Sequence, residues 1–476
     1  MLNVAPPSGM RDFLPGELSH RKYLENVIRK IFEIHGFVSI ETPAIENLST
    51  LLGKYGVEGD QLIYRILHRR EKLSRALGSG SPSETDLAEL GLRYDLTVPL
   101  ARFMANNRDL PRFFRRYQLQ PVWRADRPGK GRFREFTQCD VDITGTKSLL
   151  AEAEVCGAVS SVLLELGFFD FTIQINHREL LKCLIAAAGL EPSFEEPSLV
   201  AIDKLDKIGK EGVWKELLER GITASQAEKL LSFFQSELNC KLPENETSKS
   251  PQKEAGEFCE LSRLENLLDN SPAAQASKKP LSQLKDLLSI ASAGPAKGRL
   301  RFDASLARGL SYYTGPIFEI RSPKCKGSLG GGGRYDGLIG MFSGFEIPAV
   351  GFSIGFERLA MVMDELNLFP NLPQNPEVLI CCFPEISPSE VVRIATILRS
   401  ENIRVEIFPE TPKIGKQIGY AESVGAKATV ILGTEEIIHN RLTAKFLSSG
   451  EQITLPTPEA IIKIKSWFSK AKPTAV

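Results

Sequence analysis

The chain has 476 residues, enough for two to four domains at roughly 150 residues each and for an ample core. Its 59 Lys and Arg balance its 59 Asp and Glu, and with 42% hydrophobic and 25% charged residues the composition is that of an ordinary globular protein. These values exclude a disordered chain, a uniformly polybasic nucleic-acid coat and a solvated acidic tail, while leaving room for a local charged patch. Eight cysteines (Cys139, Cys156, Cys183, Cys240, Cys259, Cys325, Cys381 and Cys382) form no CxxC pair, and His20, His35, His68, His177 and His439 form no HxxxH pair. Neither a disulfide framework nor a zinc site is expected. The N-terminal MLNVAPPSGMRDFLPG lacks the apolar core of a signal peptide, and no run of about 18 apolar residues occurs. A soluble, cytoplasmic chain with no membrane partner is the expectation.

From Ser19 to His35, Leu24, Val27, Ile28, Ile31 and Phe32 fall on one helical face that ends at Gly36. Phe37 to Pro43 reads as a strand closed by a proline suited to an edge or interface. Residues 70–90 are charged and contain Ser and Gly, and read as a surface loop. Two strands, Phe113–Val122 and Phe133–Ile143, are joined by RADRPGKG, a loop holding Pro128, Gly129 and Gly131. A helix over Ser148–Leu166 and a strand over Phe171–Ile175 follow. From 191 to 295 the pattern is that of a mostly helical insertion, least ordered near 242–256, where the composition is polar. Strands return at Arg299–Phe302 and Ile317–Arg321. The glycine run Gly327–Gly337 comes next, with Gly330–Gly333 alone reading as a flexible turn, then a strand over Ala349–Ile354 and a helix over Phe356–Leu366. After the linker NLFPNLPQNP, strands and helices alternate through 377–476, a separate small α/β domain. The remaining parts, 1–190 and 296–368, make one domain split by the insertion.

The stretch from Arg112 to Arg134 concentrates chemistry. It holds eight basic residues, Arg112, Arg115, Arg116, Arg124, Arg127, Lys130, Arg132 and Arg134, against the single acid Asp126. Arginine offers a planar fork of donors matched to phosphate oxygens, and several of these flank a Gly/Pro loop between strands, so a hairpin gripping a nucleotide or an RNA backbone is one reading. A solvated charged face accounts for the composition equally well. The continuation shifts that balance: alternation sends Phe136, Gln138, Asp140 and Asp142 to one face, placing together a ring that can stack on a base and groups that can bind ammonium or imidazole donors.

The run FRRYQLQPVWRADRPGKGRFREFTQCDVD resembles motif 2 of the class II aminoacyl-tRNA synthetases, in the form typical of the histidyl-tRNA synthetase family. ARGLSYYTGPIFEI (307–320) and GSLGGGGRYDGL (327–338) resemble that family's two signature peptides. AVGFSIGFERLAM (349–361) resembles motif 3 and HGFVSIETPAIE (35–46) motif 1, while GMRDFLP and LRYDLTVPLAR (92–102) also fit. The resemblance spans nearly the whole chain in order. It implies an α+β fold, an antiparallel sheet flanked by helices with a C-terminal α/β anticodon-binding domain. It also implies an ATP-dependent ligase that joins L-histidine to its tRNA through a histidyl-adenylate.

By the family's pattern, Arg124 would hold the α-phosphate, Phe136 would stack on adenine, and Arg358 would cover its other face and reach the γ-phosphate. Asp126 and Arg132 would complete the ATP site. Arg308 would stand where other class II enzymes use a metal ion, so no protein side chain is assigned to a metal and Mg2+ would enter with ATP. Asp95, Thr97 and Gln138 would surround the α-ammonium group. Tyr313 and Asp142 would meet the two imidazole nitrogens, with Tyr312 and Tyr335 lining the pocket, and Arg127 would meet the tRNA. In the C-terminal domain, Lys413, Lys416, Lys427, Arg441 and Lys445 suffice for phosphate contacts, although a plain surface role is as good a reading for each. A homodimer across motif 1, with Pro43 near the two-fold, is expected.

Two positions depart from the bacterial pattern: Gly129 replaces a common Gln that helps read the extra 5′ guanosine of the histidine tRNA, and Asp142 replaces a common Glu. The competing reading is a non-catalytic relative, the regulatory paralogue that partners ATP phosphoribosyltransferase. That paralogue typically lacks the C-terminal domain and departs from the signature peptides, whereas Arg308, Tyr312 and Tyr313 are present here.

Overall fold

The computed structural model describes residues 4–78, 80–234, 251–307, 312–325, 327–372 and 375–470. The chain divides into two compact units, Met1–Pro370 and Asn371–Val476. Among the described residues, no helix is long and apolar enough to cross a membrane.

Helix α1 (Pro15–Ile34) buries Leu24, Ile28, Ile31 and Phe32, the face that the spacing predicts, and its leading proline sits where the N–H groups have no intrahelical partner. Gly36 then turns the chain with φ +78°. Of the expected strand over 37–43, only β1 (Val38–Ser39) joins the ladder, as an edge strand. The central sheet continues with β2 (Arg115–Trp123), β3 (Glu135–Thr144), β4 (Thr172–His177), β5 (Leu300–Phe302), β6 (Pro316–Arg321), β7 (Gly330–Arg334) and β8 (Ala349–Gly355), in the spatial order β1-β2-β3-β8-β7-β6-β4-β5. All pairs are antiparallel except β1 with β2 and β4 with β5.

Helix α2 (Thr97–Asn106) precedes the β2–β3 hairpin, and α3 (Leu150–Glu165) follows it. With α1, α3 covers one face of the sheet, where Cys139, Val141 and Ile143 of β3 meet Val155, Val159 and Val162. Among the described residues of 195–291 there are five further helices, and Leu217, Leu230, Leu264 and Leu284 from them are fully buried in the same core. Of the segment expected to be least ordered, 242–250 lies outside the described residues, and 251–256 begins the helix Pro251–Asp269. Helix α4 (Phe356–Glu365) follows β8 directly.

Two expectations are corrected. Residues 70–90 are not a loop: Arg70–Leu77 and Glu84–Leu87 are helical, and Ala88–Leu92 is the middle strand of a three-stranded sheet with Ile45–Asn47 and Arg65–Leu67. The first of those helices buries no residue, so it leaves no apolar periodicity in the sequence. Nor is Gly330–Gly333 a flexible turn: it forms β7, hydrogen-bonded on both sides inside the sheet. Glycine is needed there because a Cβ on Gly332 would collide with the Gly351 carbonyl oxygen and lie 2.7 Å from the Phe352 Cα.

The second unit carries strands β9 (Val378–Cys382), β10 (Val405–Ile407), β11 (Ala428–Leu432), β12 (Arg441–Phe446) and β13 (Gln452–Pro456), ordered β10-β9-β11-β12-β13. The first three are parallel, as the strand–helix rhythm predicts. Lys413, Lys416 and Arg441 are exposed, while Lys427 lies 3.5 Å from Glu377.

Gly332→Val should lower the urea unfolding midpoint, by about 1–3 kcal/mol or more of stability, because the added methyls are forced into an adjacent backbone. Gly337→Ala, where a Cβ meets nothing within 4 Å, should leave the midpoint unchanged.

Candidate active site

Strand registry puts the chemistry in rows. Arg116 pairs with Asp142, Gln118 with Asp140 and Gln120 with Gln138 across β2 and β3. On the other side of β3, Gly351, Ser353 and Gly355 of β8 oppose Asp142, Asp140 and Gln138. Next to β8, Gly333 and Gly331 of β7 oppose Gly351 and Ser353. Because side chains alternate between faces, one face of the sheet carries polar groups on β2 and β3 and almost bare backbone on β8 and β7. A Cβ on Gly351 would run into the Asp142 carboxylate, and one on Gly333 would lie 2.9 Å from the Tyr313 ring. Glycine therefore makes the floor of the site.

Three buried carboxylates stand around that floor. Asp95 Oδ1 accepts from the Val98 N–H at the start of α2, at 3.0 Å, and from the Tyr55 hydroxyl at 3.1 Å, while Oδ2 accepts from the Tyr312 hydroxyl at 3.2 Å. Burial raises its pKa, against the pull of the Val98 N–H and Arg124. Thr97, half-buried, neighbours the Tyr312 phenol. Asp142 accepts from the Tyr335 hydroxyl on Oδ1, and Arg116 Nη2 approaches its Oδ2 to 2.8 Å. Burial lifts Asp140 to about 7, with Arg116 holding it down and Asp142 adding to the rise. Gln138 donates from Nε2 to Ser353 Oγ at 2.9 Å and to Asp140 Oδ1 at 3.5 Å. Tyr313, half-buried, packs edge-on against Tyr312 at 5.1 Å, and burial with the three nearby carboxylates raises its phenol.

A cavity of about 460 Å³ adjoins this floor, bounded by Arg124, Arg132, Phe136, Gln138, Ser353 and Arg358 among others. Arg124 donates from Nε to the Tyr94 carbonyl at 3.1 Å and from Nη2 to Gln138 Oε1 at 3.5 Å; its guanidinium lies 5.1 Å from the Phe136 ring centre. Arg358 Nη1 donates to the Ser328 carbonyl at 2.7 Å, and Arg132 pairs with Asp126 at 2.7 Å. Glu357, beside Arg358, is gripped by Arg11 and Arg21 and accepts from the Thr137 N–H at 3.3 Å, which ties the N-terminal segment and the start of α4 to β3.

The residues expected from the sequence are thus brought together, with two exceptions: Arg308 lies outside the described residues, and Arg127 is exposed at the hairpin tip. The basic run is not a single patch. Arg116 is buried in the sheet, and Arg115 turns to Glu154 at 3.0 Å, so neither is available to a phosphate at this cavity. Strand alternation turns Arg115 to the opposite face, whereas Arg116 shares the site face but is spent on Asp142 and Gln118. Tyr55, Ser353, Glu357 and Lys207, which also borders the cavity, were not anticipated. A period of two carries a signal for Ser353, which alternates with Gly351 and Gly355, and for the place of Arg116, which alternates with Gln118 and Gln120.

The chain is similar to known proteins along nearly its whole length. The family profile described as histidyl-tRNA synthetase matches residues 9–359, and one described as an anticodon binding domain matches 377–467. A histidine–tRNA ligase of Cytophaga hutchinsonii is 41% identical over 469 residues, covering 96% of this chain and 98% of its own. One of Gloeobacter violaceus is 40% identical over 476 residues, covering 95% and 96%. The crystal structure of histidyl-tRNA synthetase from Nostoc sp. PCC 7120 aligns with a TM-score of 0.75 at 29% identity, over 98% of this chain and 100% of that one. An ATP phosphoribosyltransferase regulatory subunit/histidyl-tRNA synthetase from Bacillus halodurans shares the fold alone, at 20% identity and a TM-score of 0.68 over 91% of this chain and 100% of that one. Likeness to the curated ligases over nearly the whole length, with the family profile spanning both the bare floor and its carboxylates, establishes that the chain belongs to the histidyl-tRNA synthetase family.

Proposed function

We propose that the protein ligates L-histidine to its cognate tRNA with ATP, through a histidyl-adenylate. One observation carries the reading: Arg124 reaches Gln138 with one nitrogen while its guanidinium lies near the Phe136 ring, which joins the carboxylate-lined floor to the cavity. Histidine occupies the floor and ATP the cavity, so the amino acid's carboxylate meets the α-phosphate beside Arg124.

The first step is in-line attack of that carboxylate on the α-phosphate with loss of pyrophosphate. Two anions must approach, so the protein's task is to position them and neutralise charge rather than to supply a nucleophile. Arg124 holds the α-phosphate, Phe136 stacks on adenine, and Arg358 closes over the ring toward the γ-phosphate. Arg308, the further cation assigned by family pattern, acts at the α-phosphate. Asp95, Thr97 and Gln138 hold the ammonium group, and Asp142 and Tyr313 meet the imidazole nitrogens. Mg2+ travelling with ATP would supply further charge neutralisation to the leaving pyrophosphate. Its protein ligands would be few, because Glu357 is committed to Arg11 and Arg21 and Asp126 to Arg132. In the second step the terminal ribose hydroxyl of the tRNA attacks the adenylate carbonyl and AMP leaves. Arg127 meets the acceptor end and the C-terminal unit the anticodon stem and loop. A cytoplasmic homodimer is part of this reading, supported by the exposed Val38, Pro43 and Ile45 on the motif 1 segment.

Pyrophosphate exchange run with each of the 20 amino acids should depend on histidine, with discrimination of roughly 10⁴ to 10⁵ against analogues that leave the buried polar groups unpaired. Exchange with none of them would instead support the regulatory paralogue. Phe136→Ala should raise the KM for ATP by about 5- to 150-fold, the value of one stacked base, with the KM for histidine held. Sedimentation should show a dimer; a stable, active monomer would contradict the motif 1 interface.

A further inference from the structure

Adenylation chemistry does not by itself require Arg116, yet this guanidinium is fully buried, directly across the ladder from Asp142. Its Nη2 lies 2.8 Å from Asp142 Oδ2 and 3.8 Å from Asp140 Oδ2. Nη1 donates to Gln118 Oε1 at 3.0 Å and Nη2 to the Leu96 carbonyl at 3.3 Å. Nε has no hydrogen-bond partner among the described residues, and neither has Asp142 Oδ2, because Nη2 meets that oxygen out of line. The pair is therefore a charge contact, and the buried Asp142 Oδ2 keeps a lone pair without a hydrogen bond. Packing alone would favour an apolar residue over a buried guanidinium with an unsatisfied N–H.

Two carboxylates face this one cation, and they are not equivalent. Asp142 is the nearer and also takes the Tyr335 phenol. Asp140 stands farther off, and burial leaves it titrating near 7. Asp95 adds negative charge to both, and Arg124 offsets Asp95 from the nucleotide end. Tyr313 and Tyr335 complete the titratable groups facing the pair, and both phenols are held neutral by burial.

We propose that Arg116 is a positioning residue for histidine recognition: it keeps Asp142 charged and poised to accept an imidazole N–H, while Asp140 stands farther from the one cation they share. The assignment rests on the histidine pocket described above. It makes selectivity depend on a residue that touches no substrate atom.

The test is the pH dependence of kcat/KM for histidine in pyrophosphate exchange by the full-length protein, over roughly pH 5.5 to 9. Without the guanidinium, both carboxylates hold their protons to higher pH. In Arg116→Met the acidic limb should therefore move up by about one unit, and the value at neutral pH should fall about tenfold or more. The KM for ATP should hold. Asp140→Asn removes the carboxylate farther from Arg116 and should move the limb down. The double variant Arg116→Met with Asp140→Asn should return it toward wild type, a rescue that repaired packing would not give. Arg116→Lys, which keeps the charge, should stay close to wild type. An unmoved limb in Arg116→Met, or a double variant as impaired as the single, overturns the assignment. If Arg116→Met fails to fold, a limb that does not descend in Asp140→Asn overturns it. Wild-type exchange that ignores histidine overturns the pocket itself, whereas histidine-dependent exchange with an unmoved limb overturns only the role of Arg116.

Discussion

Everything in the catalytic unit answers to one constraint: a sheet face kept almost free of side chains on two strands, Ser353 excepted, while the two strands beside them carry buried charge. Glycine at 331, 333, 351 and 355 removes the wall that a Cβ would build, and the space is bordered by Asp142, Asp140 and Gln138. Such a floor is costly to fold, since glycine in a strand interior weakens it by roughly 0.5–1 kcal/mol per residue and buried carboxylates must lose their water. The opposite face compensates. Cys139, Val141 and Ile143 alternate with the polar set and anchor β3 in a core shared with α1 and α3.

Around that floor, polar groups fix one another rather than pointing freely into solvent. Tyr55 and Tyr312 hold Asp95 from two sides, and Tyr335 holds Asp142. At the nucleotide end, Arg11 and Arg21 reach across from the N-terminal segment to Glu357 and so fix the first turn of the helix that carries Arg358. Breaking a buried pair by removing one partner typically costs about 3–5 kcal/mol, more than any surface pair contributes, so these contacts hold the site's geometry rigidly. A preorganised set of charges is what an adenylation step with no protein nucleophile demands.

Much of this was legible in the residues. The amphipathic face of α1, the two strands of the hairpin and the shared face of Gln138, Asp140 and Asp142 follow from period alone. The signature peptides hold Tyr312, Tyr313 and Tyr335, and the fold brings Tyr312 to Asp95 and Tyr335 to Asp142. What period could not show was long-range pairing. The glycine run reads locally as a turn because glycine lacks strand propensity, and only its pairing with β6 and β8 makes it a strand. Arg116 reads as one more member of a basic run because charge counting ignores which face a residue takes. Tyr55 is brought to Asp95 by tertiary folding across 40 positions, which leaves no local trace. The helix over 70–77 escapes because it buries nothing.

The most direct measurement is a structure of the protein with a non-hydrolysable histidyl-adenylate analogue. The imidazole should lie over the Gly331 and Gly333 backbone with one nitrogen within hydrogen-bond distance of Asp142, and the adenine should stack against Phe136 with the phosphate at Arg124. An analogue bound with its imidazole turned away from Asp142, or outside the cavity beside Arg124, would contradict the account.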